Sequence, residues 1–208
     1  MALIHCMLAH HASKQLQKLK GFCPRIRMGA GRMMKRHLFL LRHGKAAWPE
    51  GVPDHQRPLA PRGWNTVPLV AEGMKWMVPH IDLALVSTAR RTQETFEALS
   101  TMVNGIPKRD EPRIYEARPS LLMGLVKGLP KEAHAVLIVG HNPGLHELGL
   151  TLAGASSDGD ALDRLERKMP TAGLMHFEFV CEWSDVDEGL GRLAHFVTPS
   201  VLGGVDED

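Results

Sequence analysis

The chain has 208 residues, of which 44% are hydrophobic and 23% are charged, a balance typical of a globular protein rather than a disordered one. No apolar run approaches the roughly 20 residues that cross a bilayer, so the sequence excludes a membrane-spanning protein. Three cysteines are too few for a disulfide framework, and this favours a reducing, cytoplasmic location.

The net charge of +2 is unevenly distributed along the chain. Residues 1–36 hold eight Lys and Arg residues and no acid, whereas residues 37–208 carry 17 basic and 23 acidic groups. We interpret residues 1–36 as a basic N-terminal extension, either disordered or upstream of a functional start at Met33 or Met34. A transit peptide or a basic arm for an anionic surface is the alternative. The folded domain is predicted over 37–202, followed by an acidic tail over 203–208.

From residue 37 the pattern becomes that of an α/β protein. Short apolar runs predict buried strands over 37–41, 82–86 and 135–139, and further strands are predicted over 174–180, 193–197 and 113–116. Because strands that are apolar throughout are buried on both faces, the expected architecture is a three-layer sandwich. Its central sheet is mostly parallel and is flanked by helices.

Helices are predicted between these strands from apolar residues at helical spacing. The first covers 64–78, and Pro68 is expected to kink or restart it. The next contains Phe96, Leu99 and Val103, with Ser87 or Thr88 capping its start. Later helices are predicted over 121–126, over 142–154 with Asn142 as the N-cap, and over 160–168.

Polar residues follow the first three strands, at the point where each strand ends. These segments read Arg42-His43-Gly44, then Ser87-Thr88-Ala89-Arg90-Arg91, then Gly140-His141-Asn142-Pro143-Gly144. Because ligands bind beyond the carboxyl ends of parallel strands, we expect two histidines and at least two arginines to meet at one edge of the sheet. Gathered cations need an anion, and guanidinium groups bind phosphoryl oxygens well. Taken singly, each residue fits an ordinary polar loop or a solvated charge better than a site, and only the set taken together favours an anion-binding site.

Other phosphate chemistries are absent from the sequence. There is no Cys-x5-Arg loop and no Gly-x-x-x-x-Gly-Lys phosphate loop, and Asp185-Val-Asp187 lacks the residues that would follow it in an aspartate-nucleophile loop. The His and Cys spacings fit no zinc template. We therefore predict neither a metal nor a cofactor.

Three ordered motifs resemble those of the histidine phosphatase superfamily. They are Leu40-Leu41-Arg42-His43-Gly44, Ser87-x-x-x-Arg91-x-x-x-Thr95 and Val139-Gly140-His141-Asn142-Pro143-Gly144, and the last is similar to its SixA-type phosphohistidine phosphatase branch. Arg57-Pro58-Leu59, Pro170-Thr171-Ala172-Gly173 and Phe196-Val197-Thr198-Pro199 are also like that branch. The resemblance covers about residues 37–202 and implies a phosphoglycerate mutase-like fold.

The resemblance also implies roles for individual residues. His43 is the nucleophile that becomes phosphorylated, Arg42 and Arg91 clamp the phosphoryl oxygens, and His141 completes the pocket and stabilises the transferring group. Arg90 lies one position early for the motif and is expected to be exposed.

Some members of the superfamily also use an acidic proton donor. Glu116 is the best-placed candidate in this sequence, but we leave it unassigned and favour a structural role.

The expected function is that of a metal-independent phosphatase acting through a phosphohistidine intermediate. The substrate is expected to be phosphohistidine on a protein, and the enzyme is expected to be a monomer that binds neither nucleic acid nor membrane. The alternatives are a phosphatase for a small phosphorylated substrate and a non-catalytic phosphate-binding module.

Overall fold

The computed structural model describes residues 35–78 and 80–203. Within them, six strands and five helices alternate along most of the chain in the following order: β1 (Arg36–Arg42), α1 (Pro61–Lys75), β2 (Leu83–Val86), α2 (Arg90–Ser100), β3 (Lys108–Asp110), α3 (Pro119–Lys127), β4 (Ala135–Gly140), α4 (Gly144–Leu152), α5 (Gly159–Arg167), β5 (Leu174–Phe179) and β6 (Arg192–Val197). None of these helices is long and apolar enough to cross a membrane.

The strands form one sheet in the order β3-β2-β4-β1-β5-β6. β1 pairs with β4 in parallel, as β2 does with β4 and β3, whereas β5 runs antiparallel to β1 and β6. Helices α1 and α2 pack on one face, and α3, α4 and α5 pack on the other. This confirms the predicted sandwich with a mostly parallel sheet. The centre is β1, whose residues 38–41 are fully buried because helices cover both of its faces.

The predicted strand over 113–116 is wrong. A 3₁₀ turn occupies Pro112–Ile114. The side chain of Glu111, which precedes the turn, accepts a hydrogen bond from the backbone amide of Arg113 at 3.2 Å. The strand in this region is β3, at the edge of the sheet, and its three residues are all exposed. An exposed strand lacks the apolar run that makes a strand visible in a sequence, so it was missed.

Two predicted helix features also differ from the structure. Helix α1 continues through Pro68 as a single element, with Val67, Val70 and Met74 buried along the face that packs on the sheet. Helix α2 begins after Ala89, which cannot cap it. The Ser87 and Thr88 hydroxyls, which were the predicted caps, contact histidines instead.

The first strand begins earlier than predicted, at Arg36. The Arg36 side chain is buried, donates to the carbonyl oxygens of Lys131 and Ala133 at 2.8 and 3.1 Å, and forms an ion pair with Glu182. Arg36 is therefore part of the sheet rather than of the extension. The predictions about a start at Met33 or Met34 and about the end of the acidic tail lie outside the described residues.

Candidate active site

Three strand ends bring the predicted polar residues together. Arg42, the last residue of β1, lies opposite Gly140, the last residue of β4, in the parallel register. His43 and His141 follow these two residues, and their ring centroids are 5.2 Å apart. Ser87, which follows β2, places its hydroxyl oxygen 2.9 Å from His141 Nε2. The predicted convergence of the three strand ends is confirmed.

His43 has a defined tautomer. Its Nδ1 lies 2.8 Å from the carbonyl oxygen of Gly44, and because a carbonyl only accepts, Nδ1 carries the proton. Nε2 then holds the lone pair of the ring. The pKa of His43 is lowered to about 3: burial is the main cause, the Gly44 hydrogen bond opposes it, and the charges of Arg91, Arg42 and Arg57 act with it. His43 is therefore a neutral nitrogen base at physiological pH.

His141 is neutral as well. Its pKa is lowered to about 2, mainly by burial and then by the proximity of His43 and Arg91, against the opposing charge of Asp54. With Nε2 next to the Ser87 hydroxyl, Nδ1 is buried and has no hydrogen-bond partner among the described residues. This nitrogen is available to a ligand, and a bound anion would raise the pKa of the ring.

Arg91 is held at the start of α2 by a carboxylate that the sequence analysis did not identify. Its Nη1 donates to the Asp54 backbone oxygen at 2.7 Å and its Nη2 donates to Asp54 Oδ2 at 2.9 Å. The same carboxylate accepts from Tyr115 Oη at 2.8 Å and from Arg57 Nη1 at 2.9 Å. Burial alone would raise the pKa of Asp54, but the hydrogen bonds from Tyr115, Arg57 and Arg91 outweigh it and hold the pKa well below its usual range. Asp54 is thus an ionised acceptor.

The other arginines are also fixed by the protein. Arg42 Nη1 donates to the carbonyl oxygen of Met169 at 2.8 Å, and the Asn142 side-chain amide donates to the same oxygen at 2.9 Å. Arg57 is buried, and its Nε donates to the carbonyl oxygen of Ala47 at 3.0 Å. These contacts orient positive charge around His43 without any ligand.

The Ser87-x-x-x-Arg91-x-x-x-Thr95 spacing has a physical explanation in the structure. Ser87 contacts His141, and Arg91 faces Asp54 one helical turn later. After another turn, Thr95 Oγ1 donates to the Arg91 carbonyl oxygen at 2.6 Å and accepts from the Gly44 amide at 3.0 Å. The motif therefore ties α2 to the loop that carries His43. Gly44 itself has no room for a side chain, since a Cβ there would lie 2.9 Å from Val67 Cγ2.

Arg90 and Glu116 lie outside this arrangement. Arg90 is exposed, as expected, and pairs with Glu94 at 2.7 Å. Glu116 is exposed and has a positive φ of 52°. It follows Tyr115, whose hydroxyl reaches Asp54. The carboxylate that binds Arg57 and Arg91 is Asp54, whereas Glu116 makes no such contact among the hydrogen bonds and ion pairs of the described residues.

Asp54, Tyr115 and His55 were missed by the sequence analysis because they follow none of the strands. Asp54 and His55 lie in the connection between β1 and α1, where His55 Nε2 is 3.0 Å from Thr88 Oγ1. The only sequence signal was Arg57-Pro58-Leu59, which begins three residues after Asp54. Among the described residues, no group of three His, Cys, Asp or Glu side chains is arranged to hold a metal ion.

Comparison with known proteins identifies the family. The family model for the histidine phosphatase superfamily (branch 1) matches residues 38–137. A solved structure from Agrobacterium tumefaciens, assigned as the phosphohistidine phosphatase SixA, is 30% identical, with a TM-score of 0.65 over 79% of this chain and 98% of that one. The chain belongs to the histidine phosphatase superfamily.

Other members of the superfamily support the same placement. A second structure assigned as SixA, from Nakamurella multipartitia, is 27% identical with a TM-score of 0.70, covering 83% of this chain and 99% of that one. An uncharacterized protein of Mycobacterium tuberculosis is 33% identical over 76% of this chain and 99% of its own length. The phosphoglycerate mutase of Plasmodium falciparum, 14% identical over 78% of this chain and 94% of its own, shares the fold with a TM-score of 0.52. The predicted resemblance to this superfamily and fold is confirmed.

Proposed function

We propose that this histidine phosphatase removes phosphoryl groups from phosphohistidine on proteins through a phosphorylated His43. The observation that carries the proposal is the state of His43: a neutral ring, with Nδ1–H bound to Gly44 and its lone pair on Nε2, surrounded by three arginines. Such a nitrogen can attack phosphorus without first losing a proton. The likeness to two structures assigned as phosphohistidine phosphatases supports the choice of substrate.

The proposed reaction has two displacements. In the first, His43 Nε2 forms a bond to phosphorus while the P–N bond to the substrate histidine breaks, and the substrate ring leaves with its bonding electron pair. In the second, water attacks phosphorus while the bond to Nε2 breaks, the electron pair of that bond returns to Nε2, the water's proton passes to solvent, and inorganic phosphate leaves. Arg42 and Arg91 are proposed to bind the phosphoryl oxygens, and His141 Nδ1–H to donate to one of them.

The acid–base state of the pocket favours P–N over alkyl P–O cleavage. An alkoxide leaving group needs a positioned acid, which typically contributes about 10²–10⁴-fold in rate. Asp54 is ionised and already accepts from three side chains, so it has no proton to give. A protonated phosphohistidine needs no such acid, because it leaves as neutral imidazole, whose conjugate acid has a pKa of about 6.5.

The intermediate is tested by His43→Ala with a matched control. The variant is expected to lose turnover of an aryl phosphate and of a phosphohistidine peptide while keeping its circular dichroism spectrum. Rapid quenching of the wild type should trap a phosphoryl-enzyme that is labile in acid and stable in alkali, as a P–N bond is. His80→Ala, at an exposed histidine, should behave as the wild type in both respects. Turnover by His43→Ala within tenfold of the wild type would disprove the assignment.

The substrate preference is tested by comparing leaving groups. We expect kcat/KM to fall in the order phosphohistidine peptide, aryl phosphate, phosphoserine, because the leaving group becomes progressively more dependent on an acid. Phosphoserine should be slower than phosphohistidine by about 10² or more, the usual contribution of a general acid. Equal kcat/KM values for the two would contradict the proposal. Loss of only the phosphoserine activity in Glu116→Gln would then identify Glu116 as the donor.

A further inference from the structure

Trp48 is exposed in an unusual setting. Its side chain is 78% exposed, the largest exposed fraction among the described large hydrophobic residues. It lies in the connection between β1 and α1, close to the point where β1 delivers His43. Exposed aromatic side chains beside a pocket are common at sites of protein recognition, where Trp and Arg contribute most of the binding energy.

The backbone on both sides of Trp48 is fixed. The Ala47 amide donates to the carbonyl oxygen of Pro58 at 2.8 Å, and the Ala60 amide donates to that of Lys45 at 2.8 Å. Ala46 forms an isolated antiparallel bridge with Leu59. The connection therefore folds back on itself and presents the indole from a defined backbone rather than from an open loop.

The indole also contacts a residue of the pocket. The guanidinium carbon of Arg57 lies 3.0 Å from the centre of the Trp48 ring system, a cation–π contact. Arg57 is buried, donates to Asp54 at 2.9 Å, and lowers the pKa of His43 through its charge. Asp54 in turn binds Arg91. Because Arg57 is held by its own hydrogen bonds to Asp54 and to the Ala47 carbonyl oxygen, removing the indole is expected to leave the arginines of the pocket in place.

We propose that Trp48 is a substrate-specificity residue that binds the polypeptide surface around the phosphorylated histidine. This inference rests on the proposed function and extends it from the phosphoryl group to the protein that carries it. In the proposed function the phosphoryl group binds beside Arg42, His43 and Arg91, so we expect a small phosphoramidate bound there to leave the indole uncovered. A protein substrate would cover it with the apolar surface beside its phosphohistidine. Because Arg57 already holds the indole in place, ordering it on binding costs little.

The test compares one protein substrate with one small substrate. A histidine-containing phosphotransfer domain, phosphorylated with potassium phosphoramidate, serves as the first, and phosphoramidate alone serves as the second. For Trp48→Ala we expect the KM for the protein to rise about tenfold, with kcat for the protein and both constants for phosphoramidate within twofold of the wild type. Trp48→Phe, which keeps an aromatic ring over Arg57, should recover most of the affinity. Trp76→Ala is the matched control, since Trp76 is 56% exposed at the other end of α1.

The outcomes separate the inference from the proposed function. A wild-type enzyme that hydrolyses phosphoramidate but not the phosphorylated protein would overturn the proposed function, and the inference with it. If the wild type hydrolyses both and Trp48→Ala changes neither KM, the inference alone is overturned. Equal losses on both substrates would assign Trp48 a purely structural role through Arg57 and would likewise overturn the inference.

Discussion

At the scale of single residues, Asp54 determines how the pocket distributes its charge. Three arginines act on His43, and without a carboxylate their mutual repulsion would drive them apart. Asp54 binds two of them, Arg57 and Arg91, through different oxygens, and Tyr115 completes its hydrogen bonding. A half-exposed carboxylate therefore positions the guanidinium of Arg91.

Asp54→Asn is expected to lower kcat/KM for an aryl phosphate by about 10²-fold, with little loss of stability. The amide keeps the shape of the side chain but loses the charge that holds Arg91, and small misplacements of catalytic groups cost about this much. Tyr115→Phe is the control, because it removes one hydrogen bond to Asp54 and leaves both ion pairs. The decrease in kcat/KM for Tyr115→Phe should stay below tenfold. Steady-state kinetics measure both, and unchanged kcat/KM in Asp54→Asn would mean that Arg91 is oriented by the Asp54 backbone oxygen alone.

At the scale of elements, the sequence predicted those strands and helices whose burial leaves a clear pattern of apolar residues. The apolar runs of β1, β2 and β4 identified three buried parallel strands, and so the polar residues at their ends could be assigned to one edge of the sheet. The strand β3 has no such run, and Asp54 follows no strand. Ser87 and Thr88 were predicted to cap a helix, because the sequence does not show that their hydroxyl groups contact histidines on neighbouring loops.

Two helical glycines differ in what surrounds them, although both lie on the helices of the same sheet face. Gly144 begins α4, directly after the His141 loop, and a Cβ there would lie 2.1 Å from the carbonyl oxygen of Ala117. Gly124 lies inside α3, where a Cβ would meet nothing within 4 Å. The close approach at Gly144 holds the start of α4 against the segment that carries Tyr115.

Gly144→Ala is expected to destabilise the protein by about 1–3 kcal/mol, the usual cost of overpacking, and to lower activity because the His141 loop must shift. Gly124→Ala should instead stabilise it by about 0.5–1 kcal/mol, since alanine replaces glycine inside a helix without a clash. Urea unfolding of the two variants and the wild type measures both changes. Equal stability of Gly144→Ala and the wild type would show that the Ala117 segment yields at no cost.

At the scale of the whole molecule, the fold lowers the pKa of five histidines among the residues that the structure describes. Two are the catalytic candidates His43 and His141, and three more form a row across the other strands of the sheet: His37 on β1, His176 on β5 and His195 on β6. Ring centroids in the row are 5.2 and 5.5 Å apart, and His37 Nδ1 lies 2.9 Å from His176 Nε2.

Burial is the main cause that lowers the pKa of each histidine in the row. His176 also faces His37 and His195, and the charges of Arg192 and Lys35 lower its pKa further. Glu178 acts in the opposite direction on His37 and His195, but its charge is shared by ion pairs with Lys35 and Arg192 at 3.0 Å. Burial and the neighbouring cations therefore disfavour protonation of all three histidines in the row.

The lowered pKa values of these five histidines make stability depend on pH. Below about pH 6.5 the unfolded chain binds protons that the folded chain does not, so the free energy of unfolding falls as the pH falls. For His43, His141 and His176, whose pKa values in the folded chain are far below 6.5, each contributes a slope of up to about 1.4 kcal/mol per pH unit once the pH is well below 6.5. His37 and His195 act in the same direction. The paired carboxylates of Asp54 and Glu178 also lose stabilising charge in acid, but near and below the pKa of about 4 that carboxyls have in an unfolded chain. The window from pH 6.5 to 5.5 thus isolates the histidines.

We expect the free energy of unfolding in urea to decrease from pH 7.5 to 5.5, with most of the loss below pH 6.5. His176→Phe keeps a flat ring stacked on Phe39, whose centroid is 4.4 Å from that of His176, but removes one group that titrates in the unfolded chain. The variant should therefore take up about one proton fewer on unfolding at low pH than the wild type does, and its free energy of unfolding should depend less steeply on pH. This difference in slope is separate from any stability that the variant loses at pH 7.5 through the missing hydrogen bond to His37. A wild type equally stable at pH 7.5 and 5.5 would contradict the argument, because it would require the buried histidines to accept protons in the folded state as readily as in the unfolded one. An unchanged pH slope in His176→Phe would place the titrating groups elsewhere in the chain and exclude His176 from the effect.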